Sequence, residues 1–260
     1  MPEEQMREFK GLVFLDLDGT IEDSRLDMAG SANAVRKNLG LPERDIESMF
    51  PFVMKGMDYL YRQCIPEALE NPDILPGSKS SDEEIILQKL AEMYHQEYSA
   101  RIVENTKCYP GMMETLENLA GSFTLGLYTN KPEGLSRLLL EKLGILKHFS
   151  LIYGGDTLPE SKPSALPLDT GIKAMAQGTT LKPDQIKAKC FMIGDSAGDI
   201  QAAATAKVKS IWAAYGYYEE QPLYGLSLAR KIAMISYRSF SSFNSKFGRK
   251  KNQRSSSQYS

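Results

Sequence analysis

The sequence has few of the residues that many functional sites require. Its only histidines, His95 and His148, are isolated from each other, which argues against a histidine-rich metal centre or a Ser-His-Asp triad. Its three cysteines are far apart and form no C-x-x-C pair, so we expect reduced thiols in a cytoplasmic protein. No apolar run approaches the roughly 20 residues that span a bilayer, and residues 1–10 do not resemble a signal peptide.

Acidic residues are absent from the end of the sequence. Residues 221–260 contain eight Lys or Arg and no Asp or Glu, whereas residues 1–220 contain 23 basic and 33 acidic residues. Residues 236–260 also contain nine serines. We interpret residues 226–260 as a basic, serine-rich tail, with a terminal helix within 226–243 and a disordered end from about residue 240. This interpretation is favoured over a tail that binds nucleic acid or a membrane.

Short apolar runs recur along the chain, and each ends in glycine or polar residues. Such runs, rich in branched and aromatic residues, are typical of buried strands. The predicted strands are the run that follows Gly11 and residues 123–128, 150–153, 190–193 and 208–214. Helical patterns lie between them at residues 112–119, 133–143, 168–177 and 199–206. Alternating strands and helices predict an α/β fold, in which a doubly wound parallel sheet has helices on both faces.

The region between the first two strands breaks this alternation. Its predicted helices are residues 31–39, 46–62 and 84–100, and the last of them follows a capping box at residues 81–84. Residues 71–81 are predicted to form a loop because they are rich in proline, glycine and serine. We therefore predict an inserted helical cap domain, residues 25–105, in a core formed by residues 1–24 and 106–225.

Polar residues follow the predicted strands at the points where the strands end. Asp16 and Asp18 follow the first strand, Thr129 and Asn130 the second, and Asp195 a later one. These ends share one edge of a parallel sheet, where ligands bind in folds of this class. Lys162 follows the third strand, and Asp199 lies one helical turn after Asp195. Turns and helix caps are the structural alternative, but buried carboxylates this close together cost several kcal/mol without a cation. The edge therefore predicts a Mg²⁺ site shared with a phosphate.

These residues belong to four segments that together resemble the motifs of the haloacid dehalogenase (HAD) superfamily of phosphotransferases. The segments are DLDGTIEDS at 16–24, TNK at 129–131, KP at 162–163 and GDSAGD at 194–199. The resemblance covers about residues 9–220 and implies a Rossmann-like core. The chain is most similar to the phosphoglycolate phosphatase-like branch, through residues 23–24, 109–116 and 162–168. Ala165 and the pair Lys207-Val208 depart from the usual pattern of that branch.

The resemblance implies that Asp16 and Asp18 are the catalytic residues. Asp16 would be the nucleophile that forms an aspartyl-phosphate. Asp18 would protonate the leaving oxygen and then activate water. A carboxylate two residues after the nucleophile also points to phosphate esters, since dehalogenases and phosphonate-cleaving members of the superfamily lack it.

The remaining implied roles are those of ligands. The phosphate-binding residues would be Thr129, the Asn130 backbone and Lys162. The Mg²⁺ ligands would be Asp16, the Asp18 backbone carbonyl and Asp195, with Asp199 in support. The implied activity is Mg²⁺-dependent hydrolysis of a small phosphate monoester.

Other readings of the sequence remain open. The same nucleophile would serve a sugar-phosphate mutase, and a third possibility is a non-catalytic module that binds a partner through its tail. Lys55 or Arg62 could meet a substrate carboxylate, although solvated charges on a helix are favoured for both. Residues 212–218 form an aromatic cluster that we interpret as packing against the preceding strand.

Overall fold

The structure, a computed structural model, describes residues 9–77, 80–177, 179–217 and 233–235 of the chain. The strands of these residues are β1 (Leu12–Leu15), β2 (Glu22–Asp23), β3 (Lys107–Cys108), β4 (Thr124–Tyr128), β5 (Phe149–Tyr153), β6 (Cys190–Gly194), β7 (Lys209–Ala213) and β8 (Ala233–Ile235). Six of them form a parallel sheet in the order β5-β4-β1-β6-β7-β8. The five predicted strands are confirmed with small shifts at their ends.

Helices cover both faces of this sheet. The α-helices of the described residues are α1 (Arg25–Asn38), α2 (Phe50–Val53), α3 (Met57–Cys64), α4 (Pro66–Glu70), α5 (Glu83–Arg101), α6 (Met112–Ser122), α7 (Glu133–Lys142), α8 (Leu166–Ala176), α9 (Pro183–Lys187) and α10 (Ala197–Ala206). Successive side chains of β1 point to opposite faces. Leu12 and Phe14 pack with residues of α8 and α10, and Val13 and Leu15 pack with residues of α6 and α7. The predicted doubly wound α/β fold is therefore confirmed.

The order in which strands are added to the sheet reverses at β1. From β1 the strand order runs outward through β4 and β5 on one side and through β6 and β7 on the other. The carboxyl end of β1 consequently lies at a switch point, where open α/β sheets leave a crevice for a ligand. Asp16 is the first residue after β1.

The helices α1 to α5 all lie between β2 and β3. These two short strands pair antiparallel, with Glu22 opposite Cys108 and Asp23 opposite Lys107. The chain therefore enters and leaves the helical segment side by side, a pairing that the sequence pattern did not predict.

A buried carboxylate joins the start of the helical segment to its end through hydrogen bonds. Asp27, in the first turn of α1, is 1% exposed and accepts hydrogen bonds from Asn105 and Thr106 at 2.7–2.9 Å. The donors are the backbone N–H of both residues, the Asn105 amide and the Thr106 hydroxyl. We call Asp27, Asn105 and Thr106 the linker clamp.

Two predictions in the helical segment are wrong. The single helix expected over residues 46–62 is divided into a 3₁₀ turn (Glu47–Met49), α2 and α3. Gly56 precedes α3 with φ of 98°, a backbone conformation that a continuous helix does not contain. The expected capping box at 81–84 is also wrong, because the N-cap of α5 is Asp82, which accepts a hydrogen bond from the Glu84 N–H at 3.0 Å.

The predicted terminal helix is contradicted at β8, which extends the sheet beside β7. The rest of the predicted tail lies outside the described residues. Cys64, Cys108 and Cys190 are free thiols, as expected. In the part of the chain that the structure describes, every helix is too short or too polar to cross a membrane.

Candidate active site

Polar side chains from the ends of three neighbouring strands gather around one cavity of about 430 Å³. Asp16 follows β1, Thr129 follows β4, and Asp195 follows β6. The predicted site residues that line the cavity are Asp16, Asp18, Thr129, Asn130, Lys162 and Asp195. Asp199, also predicted, is wholly buried and contacts Lys162 of the cavity wall. The structure thus brings all seven residues to one place.

Asp16, Asp195 and Asp199 form a tight acidic cluster. Each offers a carboxylate oxygen within 4.8 Å of the others, and all three residues are buried. The Lys162 ammonium contacts Asp16 Oδ2 at 2.7 Å and Asp199 Oδ1 at 2.9 Å. Because one lysine faces three carboxylates, the cluster has more negative than positive charge.

This imbalance raises carboxylate pKa values. Burial raises the pKa of Asp16 to about 7; Lys162 opposes this shift, while the nearby Asp199 and Asp18 charges add to it. Burial, followed by the charges of Asp16 and Asp199, holds the pKa of Asp195 well above its ordinary value. A cluster of oxygen donors that lacks positive charge fits a hard divalent cation such as Mg²⁺.

Glycine is required beside two of these carboxylates. A Cβ atom on Gly19 would collide with the Asp195 carboxylate, and one on Gly194 would collide with the Asp199 carboxylate. Gly19 also has φ of 78°, in the left-handed region. The glycines of DLDGT and GDSAGD therefore allow the acidic cluster to form.

Helix capping orients Asp199. At the start of α10, the Ser196 N–H and hydroxyl donate to Asp199 Oδ2 at 3.0 and 2.7 Å. The other carboxylate oxygen remains directed to Lys162. The residue is thus both part of a capping box and part of the acidic cluster.

The Asp18 side chain has a different environment from the acidic cluster. Its Oδ1 accepts a hydrogen bond from the Ser24 hydroxyl at 2.5 Å and contacts the Lys131 ammonium at 2.7 Å. Burial would raise the pKa of Asp18, but Lys131 and these hydrogen bonds hold it below its ordinary value. Asp16 and Asp18 therefore have pKa values shifted in opposite directions, although one residue separates them.

Thr129, Asn130 and Lys162 also line the cavity. Thr129 is 1% exposed, and its hydroxyl accepts a hydrogen bond from the Lys131 N–H at 3.2 Å. The Asn130 side chain accepts from the Lys162 N–H at 2.9 Å, which ties the loop that carries Lys162 to the end of β4. Lys162 thus lines the cavity while its ammonium contacts the acidic cluster.

Sequence reasoning did not assign two residues of this site. Lys131 follows Thr129 and Asn130 in the TNK segment, so its position in a motif was an available signal. No signal in the sequence pointed to Tyr217. In the structure, its N–H donates to Asp195 Oδ2 at 2.7 Å, and its hydroxyl accepts from the Ser24 N–H at 2.9 Å. Trp212 in the same aromatic cluster is buried, as predicted, and its indole donates to the Asp195 carbonyl at 3.2 Å.

The helical segment closes one side of the cavity with the loop between α2 and α3. Lys55 lies in this loop and not on a helix, so that part of its interpretation is wrong; it is exposed, as expected of a solvated charge, and it lines the cavity. Arg62, in α3, forms an ion pair with Glu83. Of the two cations considered for a substrate carboxylate, Lys55 is the one at the cavity.

The sequence and the fold match characterised proteins over most of the chain. Residues 13–213 match the family model of haloacid dehalogenase-like hydrolases. The phosphoglycolate phosphatase of Chromobacterium violaceum is 36% identical over 219 residues, which cover 84% of this chain and 90% of that protein. The phosphoglycolate phosphatase of Salmonella typhimurium is 33% identical over 248 residues, covering 91% and 92%. A crystal structure of a predicted phosphoglycolate phosphatase from Haemophilus somnus superposes with a TM-score of 0.71 and 27% identity, covering 92% of this chain and 99% of that one.

Proposed function

Because the chain belongs to the haloacid dehalogenase-like hydrolase family, we propose that it is a Mg²⁺-dependent phosphatase whose substrate is phosphoglycolate or a closely similar phosphate monoester. The observation that carries the proposal is the acidic cluster beside Lys162 at the end of β1, in a cavity large enough for a small molecule. The names of the relatives support the substrate class.

The reaction proceeds in two transfers at Asp16. Asp18 must take up a proton before the first transfer, because, despite its burial, Lys131 holds its pKa below the ordinary value. A carboxylate oxygen of Asp16 then attacks phosphorus as the ester P–O bond breaks, and Asp18 gives this proton to the departing oxygen. Water then attacks phosphorus and loses a proton to Asp18. This second step releases inorganic phosphate and restores the Asp16 carboxylate.

The charge of the bound phosphate must be balanced for an anionic nucleophile to approach it. Mg²⁺ would be held by the Asp16, Asp195 and Asp199 side chains and the Asp18 backbone carbonyl, and it would supply the positive charge that the cluster lacks. Thr129, the Asn130 backbone and Lys162 bind phosphate oxygens. These groups act mainly by positioning and charge stabilisation, which phosphoryl transfer requires.

Lys55 favours a substrate with a second negative group. It lines the cavity from the helical segment, whereas the proposed phosphate-binding residues Thr129 and Asn130 line it from the end of β4. A carboxylate attached to the phosphate ester would pair with this ammonium. Phosphoglycolate carries such a group, whereas simple alkyl phosphates do not.

Phosphate release from a panel of phosphoglycolate, a nucleoside monophosphate, a sugar phosphate and pyrophosphate tests the activity. We expect release with Mg²⁺ that is lost with a chelator and in Asp16→Asn. Asp169→Asn is the matched control, because Asp169 lies on α8 in an ion pair with Lys187 and away from the cavity. No release from any substrate would refute the hydrolase, and labelled phosphate that moves to a second sugar would indicate a mutase.

The pair Lys55→Met and Arg62→Met tests the substrate class. Lys55→Met should raise KM for phosphoglycolate about tenfold, equivalent to one charged contact of about 1.4 kcal/mol, and should leave KM for ethyl phosphate unchanged. Arg62→Met should change neither value. An equal change for both substrates would show that Lys55 does not bind the carboxylate.

A further inference from the structure

A line of contacts connects helix α5 to Asp18. Lys131 follows β4, and its ammonium lies 2.7 Å from Asp18 Oδ1. The same ammonium donates a hydrogen bond to the Tyr98 hydroxyl at 2.8 Å and lies 4.7 Å from the centre of the Tyr98 ring. Tyr98 belongs to α5, so the Lys131 side chain links this helix to Asp18, the proposed acid–base residue.

The residues of this line are closely packed. The Lys131 side chain is 2% exposed, and Tyr98 is 1% exposed. The Tyr98 ring stacks on Tyr94 at 5.6 Å between ring centres, and Tyr94 packs edge-on against Tyr61 at 5.5 Å. Because neighbouring rings hold the Tyr98 ring, its hydroxyl reaches Lys131 from a fixed position.

The two buried lysines of the site have separate partners. Lys162 contacts Asp16 and Asp199, whereas Lys131 contacts Asp18. Lys131 is therefore not part of the charge balance of the acidic cluster. Its contacts are those of a residue that fixes the Asp18 side chain.

We propose that Lys131 and Tyr98 are positioning residues for Asp18: Tyr98 holds the Lys131 ammonium, and Lys131 holds the Asp18 carboxyl where it serves the ester oxygen. The inference rests on the proposed function and adds to it that the placement of α5 controls the acid–base step. Neither residue needs to contact the substrate for this role.

The dependence on the leaving group separates this role from a structural one. When the P–O bond breaks, the departing oxygen takes the Asp18 proton and leaves as a neutral alcohol, while Asp18 becomes a carboxylate. A good leaving group such as p-nitrophenoxide departs without that proton. A badly placed Asp18 therefore slows the first transfer from phenyl phosphate far more than that from p-nitrophenyl phosphate, two substrates of nearly the same shape.

The experiment compares Tyr98→Phe with Tyr94→Phe on phosphoglycolate, phenyl phosphate and p-nitrophenyl phosphate. Both variants lose one buried hydroxyl, but the Tyr94 hydroxyl bonds to the Met28 carbonyl and not to Lys131. The quantity compared is kcat/KM, because it reports the first transfer and not the later hydrolysis of the aspartyl-phosphate, which is the same for every substrate. We expect Tyr98→Phe to lower kcat/KM about tenfold for phosphoglycolate and phenyl phosphate, a part of the roughly 10²- to 10⁴-fold that acid–base catalysis contributes, and less than about twofold for p-nitrophenyl phosphate. Tyr94→Phe should change kcat/KM by the same factor for all three substrates.

A second variant, Lys131→Met, should show the same selectivity with a larger loss of kcat/KM. Equal losses of kcat/KM on all substrates, or a selective effect in Tyr94→Phe, would overturn the proposal. A rise in KM of Lys131→Met for every substrate, without a change in kcat, would also overturn it, because Lys131 would then bind phosphate directly. Inactivity of the wild-type protein on the whole panel would instead refute the proposed function.

Discussion

Two buried aspartates show how the same residue type serves two purposes in this molecule. Asp27 in the linker clamp and Asp195 in the acidic cluster are each 1% exposed. Asp27 accepts hydrogen bonds from four donor groups on Asn105 and Thr106. The Asp195 carboxylate accepts bonds from the Thr20 hydroxyl and the Tyr217 N–H, and it lies among two other carboxylates.

The difference lies in the surroundings and not in burial. Donors satisfy the Asp27 carboxylate completely, so its desolvation is offset within the fold, and the residue fixes two chain segments. Asp195 is close to like charges and has a raised pKa, so its environment is favourable only with an added cation. A buried carboxylate is thus better classified by its neighbours than by its exposed fraction.

Asp195→Asn should produce the largest effect, a loss of activity without a loss of stability. We expect kcat/KM to fall about a thousandfold, about 4 kcal/mol of transition-state stabilisation, because a proposed Mg²⁺ ligand loses its charge. The Tm of the metal-free variant should not fall, since repulsion within the acidic cluster decreases. Phosphate release and thermal unfolding in chelator measure the two effects, and a large loss of Tm would contradict the comparison.

Asp27→Ala should have the opposite result. Its removal leaves buried donors of Asn105 and Thr106 without partners, which should lower the free energy of unfolding by about 3 kcal/mol. Activity per folded molecule should remain within about twofold at low temperature. Denaturant unfolding tests this, with Asp169→Ala as the control, because an exposed ion pair contributes less than about 1 kcal/mol.

The stability of the metal-free protein should fall as pH rises from 5 to 8. The pKa of Asp16 is raised from 3.8 to about 7, so between these values the folded protein holds a proton that the unfolded chain has released. That stabilisation is complete below pH 4 and is lost as pH rises through 7. Between pH 5 and pH 8 the loss amounts to roughly 2 to 3 kcal/mol, which would lower Tm by about 5 to 10 °C.

Unfolding in chelator at several pH values measures this slope. Asp16→Asn should make the slope smaller, and Mg²⁺ should raise Tm more at pH 8 than at pH 5. A slope that Asp16→Asn leaves unchanged would show that Asp16 titrates like an exposed carboxylate.

Glu22→Gln should have the smallest effect. Glu22 is wholly buried, and burial, followed by the charge of Asp18, raises its pKa well above its ordinary value. The neutral form is therefore favoured, and a neutral amide of the same shape should change Tm at pH 7 by less than about 2 °C. A drop of many degrees would mean that Glu22 acts as a charged residue.

Local signals in the sequence were enough to locate most of the site. Asp16, Thr129 and Asp195 each follow an apolar run, and such runs form strands whose ends meet in a parallel sheet. Asp199 follows Asp195 by one helical turn, so its placement was also local. The resemblance of the four motifs then implied a role for each residue.

The features that the sequence did not predict depend on contacts between distant segments. Tyr217 reaches Asp195 and Ser24 because the chain after β7 turns back to the loop that follows β1, and no pattern at residue 217 encodes that return. Tyr98 meets Lys131 only when α5 lies against the core. The break at Gly56 was missed because apolar residues continue through it at helical spacing, while the glycine alone changes the backbone direction.

The pairing of β2 with β3 has a consequence for how such molecules diversify. The two ends of the helical segment lie next to each other, so the segment is joined to the core by two adjacent connections only. An insertion with adjacent ends adds little chain-closure entropy, and it can be exchanged or lengthened without moving the sheet. The helical segment can therefore be replaced or enlarged in evolution while the sheet and the residues at its strand ends are retained.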